Sequence, residues 1–247
     1  MKDLKILILL FYYNRPKIVR NALQSIVDSS YKNYQVVMID DSPNGYDGWV
    51  TYCEYLPKIN PKYVDKIFGY VHTKDTTEAK IARGGSNFGK FANQAMQESD
   101  ADLCISLCDD DGFRSDYLAN LNRFYNENPE TMYAYTHLAL FNPWEEDFNE
   151  VKTRTETSGY LNWQHPLNPF CQVDSSMVSH RLQEGNRDGI TYPAPQTANL
   201  DSIIFSKMFN AWGNCVWTGF NGILKGWSLD TKVGQLGKRS CPYEGAE

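Results

Sequence analysis

With 247 residues, 42% of them hydrophobic, the chain can bury a substantial core, and its length suits one large α/β domain or two closely joined lobes. A formal net charge of -6 and a pI near 5.3 leave no basic footprint for a phosphate backbone, so no nucleic-acid partner is expected. The six cysteines form no C-x-x-C pair and no paired zinc spacing; they read as reduced, with Cys104 and Cys108 on one strand face as small core residues.

The chain opens with MKDLKILILLF, an apolar run too short to span a membrane and without a small-residue cleavage site, so it reads as a first strand. No later segment reaches membrane length, and the chain reads as soluble and cytoplasmic. The amphipathic stretch RPKIVRNALQSIV follows as a helix, then the strand YQVVMID, a polar turn and a second helical segment. KIFGYVHT and ADLCISLC continue as strands, separated by the helix SNFGKFANQAMQE, whose Phe88, Phe91, Ala92, Ala95 and Met96 recur at helical spacing on one face. Strands alternating with helices predict a mostly parallel sheet with crossover helices, an α/β fold of Rossmann-like type. Beyond Tyr117 come a helix DYLANLNRFYNEN, a strand TMYAYTHLALF and a loop-rich, aromatic stretch. No Gly/Ser or Pro linker intervenes, so residues 118–247 are expected to pack on residues 1–117.

Ligands of such sheets bind at the carboxyl ends of the strands. There the sequence places Tyr12-Tyr13-Asn14-Arg15, Asp40-Asp41-Ser42 and Asp109-Asp110-Asp111-Gly112, three polar ends expected on one rim. An isolated run of three aspartates is commonly a solvated turn capping the next helix. Directly after a buried strand, it better suits a divalent cation, which relieves the repulsion among the carboxylates and can bridge two phosphates. Lys80 and Arg83, in a loop before Gly84-Gly85, could reach a nucleotide or its phosphates. The histidines show no ligand spacing; of the four, His137 is the one expected to be buried.

The segments KILILLFYYNRPKIVRNALQSIVDSSYKNYQVVMIDDS and FANQAMQESDADLCISLCDDDGFRSDYLANL resemble glycosyltransferase family 2, inverting enzymes of the GT-A fold that use nucleotide sugars. The resemblance implies a nucleotide-sugar-binding half over 1–117 and an acceptor-binding half over 118–247. It implies Tyr13 stacking on the donor base, Asp41 hydrogen-bonding it with Asp40 adjacent, and Asp109, Asp110 and Asp111 as a DXD motif holding Mn²⁺ or Mg²⁺. Read as Asp-x-Asp the metal residues are Asp109 and Asp111; counted from Asn93 and Leu118 the metal-facing residue is Asp110. NPFCQVDSSMVSHR and NLDSIIFSKMFNAWG look like the family's acceptor-side strand and base-bearing helix. They put forward Asp201 as general base and Asp174 as an acceptor-side or base-supporting group, although an Asp before an apolar helix is also a common N-cap. The expected activity is transfer of a sugar from a nucleoside diphosphate sugar, UDP-sugar favoured, to a hydroxyl acceptor such as a glycan, where Trp163 and Trp217 are candidates to pack on sugar faces. The rivals are a sugar-nucleotide nucleotidyltransferase, which would want a glycine-rich phosphate loop after the first strand, and a catalytically silent glycan- or nucleotide-sugar-binding module.

Overall fold

The computed structural model describes residues 1–59, 69–141, 148, 174–195 and 200–226. Among these described residues eight strands form one sheet in the order β3-β2-β1-β4-β7-β6-β8-β5. They are β1 (Ile6–Tyr12), β2 (Tyr34–Asp40), β3 (Tyr70–His72), β4 (Leu103–Cys108), β5 (Gly112–Phe113), β6 (Tyr133–Phe141), β7 (Val178–Arg181) and β8 (Val216–Gly226). The run from β3 through β2 and β1 to β4 is parallel, as the alternation of apolar runs and helical stretches predicts. Beyond β4 the sheet is mixed: β7 runs antiparallel to both β4 and β6, β8 lies parallel to β6, and the short β5 closes the far edge against β8. The sheet therefore continues across residue 117, joining both parts of the chain through β4–β7 and β5–β8 pairing.

The central strand β1 reads ILILLFY and every residue of it is buried, which is why it shows no polar alternation. The helices are α1 (Val19–Val27), α2 (Tyr46–Ile59), α3 (Thr77–Arg83), α4 (Phe88–Glu98), α5 (Tyr117–Glu127), α6 (Leu182–Arg187) and α7 (Leu200–Trp212). A face of α4 centred on Ala92 and Met96 packs on β1 and β2. The small Gly89 on that helix lets the 190–193 segment approach so closely that a Cβ there would lie 1.9 Å from the Pro193 carbonyl oxygen. Asn93 then holds the segment by both amide groups, accepting from the Tyr192 N–H at 2.7 Å and donating to the Tyr192 carbonyl at 3.0 Å.

Two sequence expectations change. Residues 77–83, read as loop, form α3: the Thr76 hydroxyl accepts from the Ala79 N–H at 3.1 Å, and Gly84, at φ 79°, ends the helix in the left-handed conformation glycine tolerates best. The seven-residue span carries no apolar periodicity because none of it is buried. Among the described residues the buried histidine is His180, 3% exposed, whereas His137 is half-buried and stacks on Trp217 with ring centroids 4.9 Å apart. Among the described residues no helix is long and apolar enough to cross a membrane.

Candidate functional site

Parallel pairing in register brings three strand ends to one edge: Tyr12 lies opposite Asp40 and Phe11 opposite Cys108. The turn after β1 then stitches them together. The Tyr13 N–H donates to Asp109 Oδ2 at 2.9 Å, and the Asn14 N–H donates to the Ser42 hydroxyl at 2.8 Å. Asn14 itself sits at φ 50°, a conformation asparagine adopts more readily than most residues. Arg15 follows and reaches Asp109 Oδ1 at 3.2 Å and Asp110 Oδ2 at 2.7 Å.

One end of this rim carries a flat, accessible ring. Tyr13 is 45% exposed, and the Lys80 ammonium lies 4.9 Å from its ring centroid, within cation–π range. The same ammonium pairs with Asp41 Oδ2 at 2.7 Å and donates to the Asp41 carbonyl, while Asp41 Oδ1 accepts from the Thr73 hydroxyl at 2.6 Å. Arg83 pairs with Asp75 at 2.6 Å, and Asp75 also accepts from the backbone and side-chain N–H groups of Asn87. Asp40 turns inward. It is fully buried, accepts from the Tyr70 hydroxyl and the Ser42 N–H, and lies so close to Gly48 that a Cβ there would come within 2.2 Å of its Oδ2.

The other end is the aspartate triplet, whose members have different surroundings. Asp109 is buried with both oxygens engaged, by Tyr13 and Arg15. Burial raises its carboxyl to about 7, opposed by Arg15 and reinforced by Asp110. Asp111 is fully buried; its Oδ2 accepts from the Lys225 ammonium at 3.0 Å and its Oδ1 from the Gly226 N–H at 3.0 Å. Burial likewise pushes Asp111 up to about 7, with Lys225 opposing. Lys225 also pairs with Asp174 at 3.2 Å. Burial works against the Asp174 carboxylate, yet Lys225 and the Ser176 hydrogen bonds outweigh it and hold Asp174 below the ordinary range. Burial equally disfavours the Lys225 ammonium, and Asp111 and Asp174 overcome that and keep it charged.

The carboxylate oxygens here suit a hard divalent cation, whereas burial pushes the Cys108 thiol well above its ordinary value and keeps it a protonated, poor ligand. Ligand atoms of Cys108, Asp110 and Asp111 converge within 4.8 Å of one another. Four carboxylates, Asp109, Asp110, Asp111 and Asp174, face two cations, Arg15 and Lys225; with all six ionised, two negative charges are left over.

Of the other residues singled out in the sequence, Asp174 caps a short 3₁₀ turn (Ser175–Met177), accepting from the Ser176 N–H and hydroxyl. Asp201 lies in the first turn of α7, which begins at Leu200; its side chain and Trp163 fall outside the described residues. Trp217 is on β8 against His137. Sequence reasoning missed Arg15 as a partner of the triplet, Thr73 as a partner of Asp41, and the Lys225–Gly226 pair. Arg15 stands in the turn motif itself and could have been flagged as its charge complement. Lys225 is 114 residues from Asp111 in the chain, and only the β5–β8 pairing brings them together.

An open α/β sheet with polar strand ends, a carboxylate triplet and an exposed aromatic ring puts the candidate site at the carboxyl edge of the strands, where ligands of such sheets bind. The chain belongs to glycosyltransferase family 2: residues 8–184 match the family model described as Glycosyl transferase family 2. Its fold is that of the GT-A glycosyltransferases. The crystal structure of S. aureus TarS 1-349 superposes with a TM-score of 0.63 at 15% identity, covering 90% of this chain and 60% of that one. TarS 1-349 in complex with UDP-GlcNAc gives a TM-score of 0.63 at 14% identity, over 91% and 59% of the two chains. The mannosyltransferase PcManGT from Pyrobaculum calidifontis in complex with GDP-Man and Mn²⁺ gives 0.51 at 14% identity, over 86% and 54%. Protein CgeD of Bacillus subtilis (strain 168) is 24% identical over 132 residues, 53% of this chain and 29% of its own length. The chain thus spans about 60% of the TarS fragment and under a third of CgeD.

Proposed function

We propose that the protein transfers a sugar from a nucleoside diphosphate sugar, a UDP-sugar favoured, to a hydroxyl acceptor of glycan type, with inversion at the anomeric carbon. The observation that carries this reading is the rim itself: the accessible Tyr13 ring and Asp41 at one end and the triplet at the other, tied together by the turn after β1. The likeness in fold to TarS bound to UDP-GlcNAc and to PcManGT bound to GDP-Man and Mn²⁺ supports it.

In this reading Tyr13 offers a face for the base and Asp41 an acceptor for its edge, with Thr73 and Lys80 orienting that carboxylate. Lys80, over the Tyr13 ring, and Arg83, three residues further along α3 and paired with Asp75, offer positive charge for the nucleotide end. Mn²⁺ or Mg²⁺ would be held at the triplet. When bound, the cation would counter the charge that develops on the departing nucleoside diphosphate. Asp201, in the first turn of α7, takes the proton of the acceptor hydroxyl as its oxygen bonds to the anomeric carbon and the bond to the diphosphate breaks. Residues 1–117 hold the donor and residues 118–247 the acceptor, with Asp174 on the acceptor side.

A panel of UDP- and GDP-sugars, each with Mn²⁺ or Mg²⁺, tests the reading by thermal unfolding. At a hundredfold excess over Kd a true donor stabilises by about 2.7 kcal/mol, several degrees in midpoint. No stabilisation by any donor, with or without metal, would sink the proposal.

A further inference from the structure

The segment between α6 and α7 is gripped from two sides through a single peptide group. The Tyr192 N–H donates to Asn93 Oδ1 on α4 at 2.7 Å, and the Thr191 carbonyl, at the other end of the same peptide plane, accepts from the Lys207 ammonium on α7 at 2.8 Å. We propose that Lys207 is a positioning residue for the general base: with Asn93 it fixes α7, and so Asp201 in its first turn, to the part of the chain that carries the donor rim. The inference rests on the reading above, in which Asp201 takes the acceptor proton.

Three observations support it. First, the grip is built to set a position. Lys207 donates to the Thr191 hydroxyl at 2.5 Å as well as to the carbonyl, both neutral oxygens of one residue. Two hydrogen bonds from a charged donor define the place of the ammonium more closely than one does. On the opposite side Asn93 also donates to the Tyr192 carbonyl at 3.0 Å. A peptide group is planar and stiff, so what holds its N–H also holds its C=O. The ammonium on the carbonyl further polarises the N–H that Asn93 accepts.

Second, packing alone leaves α7 some slack. Its residues Ile204, Phe205 and Met208 are buried, but with Ile105 and Ser106 of β4 and Tyr192 of the segment they line a cavity of about 10 Å³, close to the space of one water molecule. Apolar burial is non-directional, and a void beneath a helix removes part of the contact that would fix its register. The directional hold comes from Lys207.

Third, the segment is tied to the donor rim as well as to α4. The Tyr192 ring packs edge-on against Phe11 of β1 with centroids 5.7 Å apart, and Phe11 packs in the same way on Phe88 of α4 at 5.3 Å. One residue later β1 ends at Tyr12 and leads into Tyr13 and the turn that binds the triplet. Lys207 stands six residues from Asp201, about 9 Å along the axis of α7. A base displaced by about 1 Å can lose on the order of a hundredfold in rate, so a loosened helix is felt in the chemical step.

The test uses the full chain and whichever UDP- or GDP-sugar of the panel above raises its midpoint most, with Mn²⁺ present and water as acceptor, and follows release of the nucleoside diphosphate. Lys207→Met should lower kcat about tenfold or more, while KM stays within about threefold and the donor-induced thermal shift is kept. Lys207→Arg, which can still reach both Thr191 oxygens, should recover kcat to within about threefold of wild type. Asn93→Ala should show the same split, and the double variant should lose little more than the worse single one, because both act through one peptide group. If Lys207→Met does not fold, Asn93→Ala decides by itself. If wild type binds the sugar nucleotide without releasing diphosphate, amide hydrogen exchange decides: Lys207→Met should speed it about tenfold or more across residues 200–206 and leave β1 and β4 unchanged, and equal rates overturn the inference. An unchanged kcat, a loss of donor binding equal to the loss of kcat, or losses that multiply in the double variant also overturn it, while leaving the donor reading intact. A wild-type chain stabilised by no sugar nucleotide removes that reading, and this inference with it.

Discussion

At the scale of single residues, the site is a set of carboxylates held apart by what each one touches. Asp109 and Asp111 have folded-state values near 7, above the ordinary aspartate range, because burial penalises their charged forms. Without metal, the folded protein therefore keeps protons that the unfolded chain has released between about pH 4 and pH 7. The contribution of each group is fully present below the unfolded value and is lost as pH rises through the folded one. His180 acts in the opposite sense. Burial depresses it to about 4, so its contribution is present above its unfolded value near 6.5 and is lost as pH falls toward 4. Because the two effects overlap, the check is a difference: the unfolding free energy of wild type minus that of Asp109→Asn, measured by urea titration, should fall by a few kcal/mol from pH 5 to pH 7.5. A flat difference would mean that Asp109 is not held near neutrality. Asp201 yields a separate prediction. Asp201→Asn should keep donor binding, read by thermal shift, while transfer falls roughly 10²- to 10⁴-fold. Equal loss of both would rule it out as the base.

At the scale of elements, α3 stands apart. Seven residues long with none buried, it is held to the sheet edge through Lys80 on Asp41 and Arg83 on Asp75. A helix that short and unpacked has little stability of its own, so these two ion pairs and the Thr76 cap hold it in place. Lys80→Met should speed amide hydrogen exchange across residues 77–83 while leaving β1, β2 and β4 protected, and should weaken donor binding roughly tenfold, or about 1.4 kcal/mol. Unchanged exchange in that segment would show that the ion pair is not what anchors it. The α4 helix illustrates the other case. Its apolar spacing was legible in the sequence, and its anchoring does not depend on charge, because the bidentate Asn93 link to Tyr192 and the close approach at Gly89 are made by uncharged groups.

At the scale of the whole molecule, one sheet binds both parts of the chain. Residues 1–117 contain β1 to β5, but β4 there would lose its partner β7 and β5 its partner β8. The bared β4 edge, with Leu103, Cys104 and Ile105 all buried in the full chain, is then open to intermolecular pairing. A fragment of residues 1–117 should therefore aggregate or stay unfolded, and the full chain should unfold in one cooperative transition. A fragment that is monomeric with native-like near-ultraviolet dichroism would show instead that the donor half folds alone.

What the sequence determined by itself is local and periodic. The unbroken apolar runs of β1, β2 and β4, the helical spacing in α4, and polar residues at three strand ends follow from burial and from short-range stereochemistry, which neighbouring residues encode. The pairing partners were not legible for the same reason: Lys225 has no neighbour in the sequence that points to Asp111, and α3 has no apolar period because it buries nothing. Only the tertiary structure decided that Asp40 faces inward beneath Gly48, that Arg15 pairs with Asp110, and that β8 returns to grip Asp111. Carboxylates close together are alike as sequence. They come to differ through the charges, amides and degree of burial that distant strands bring to each.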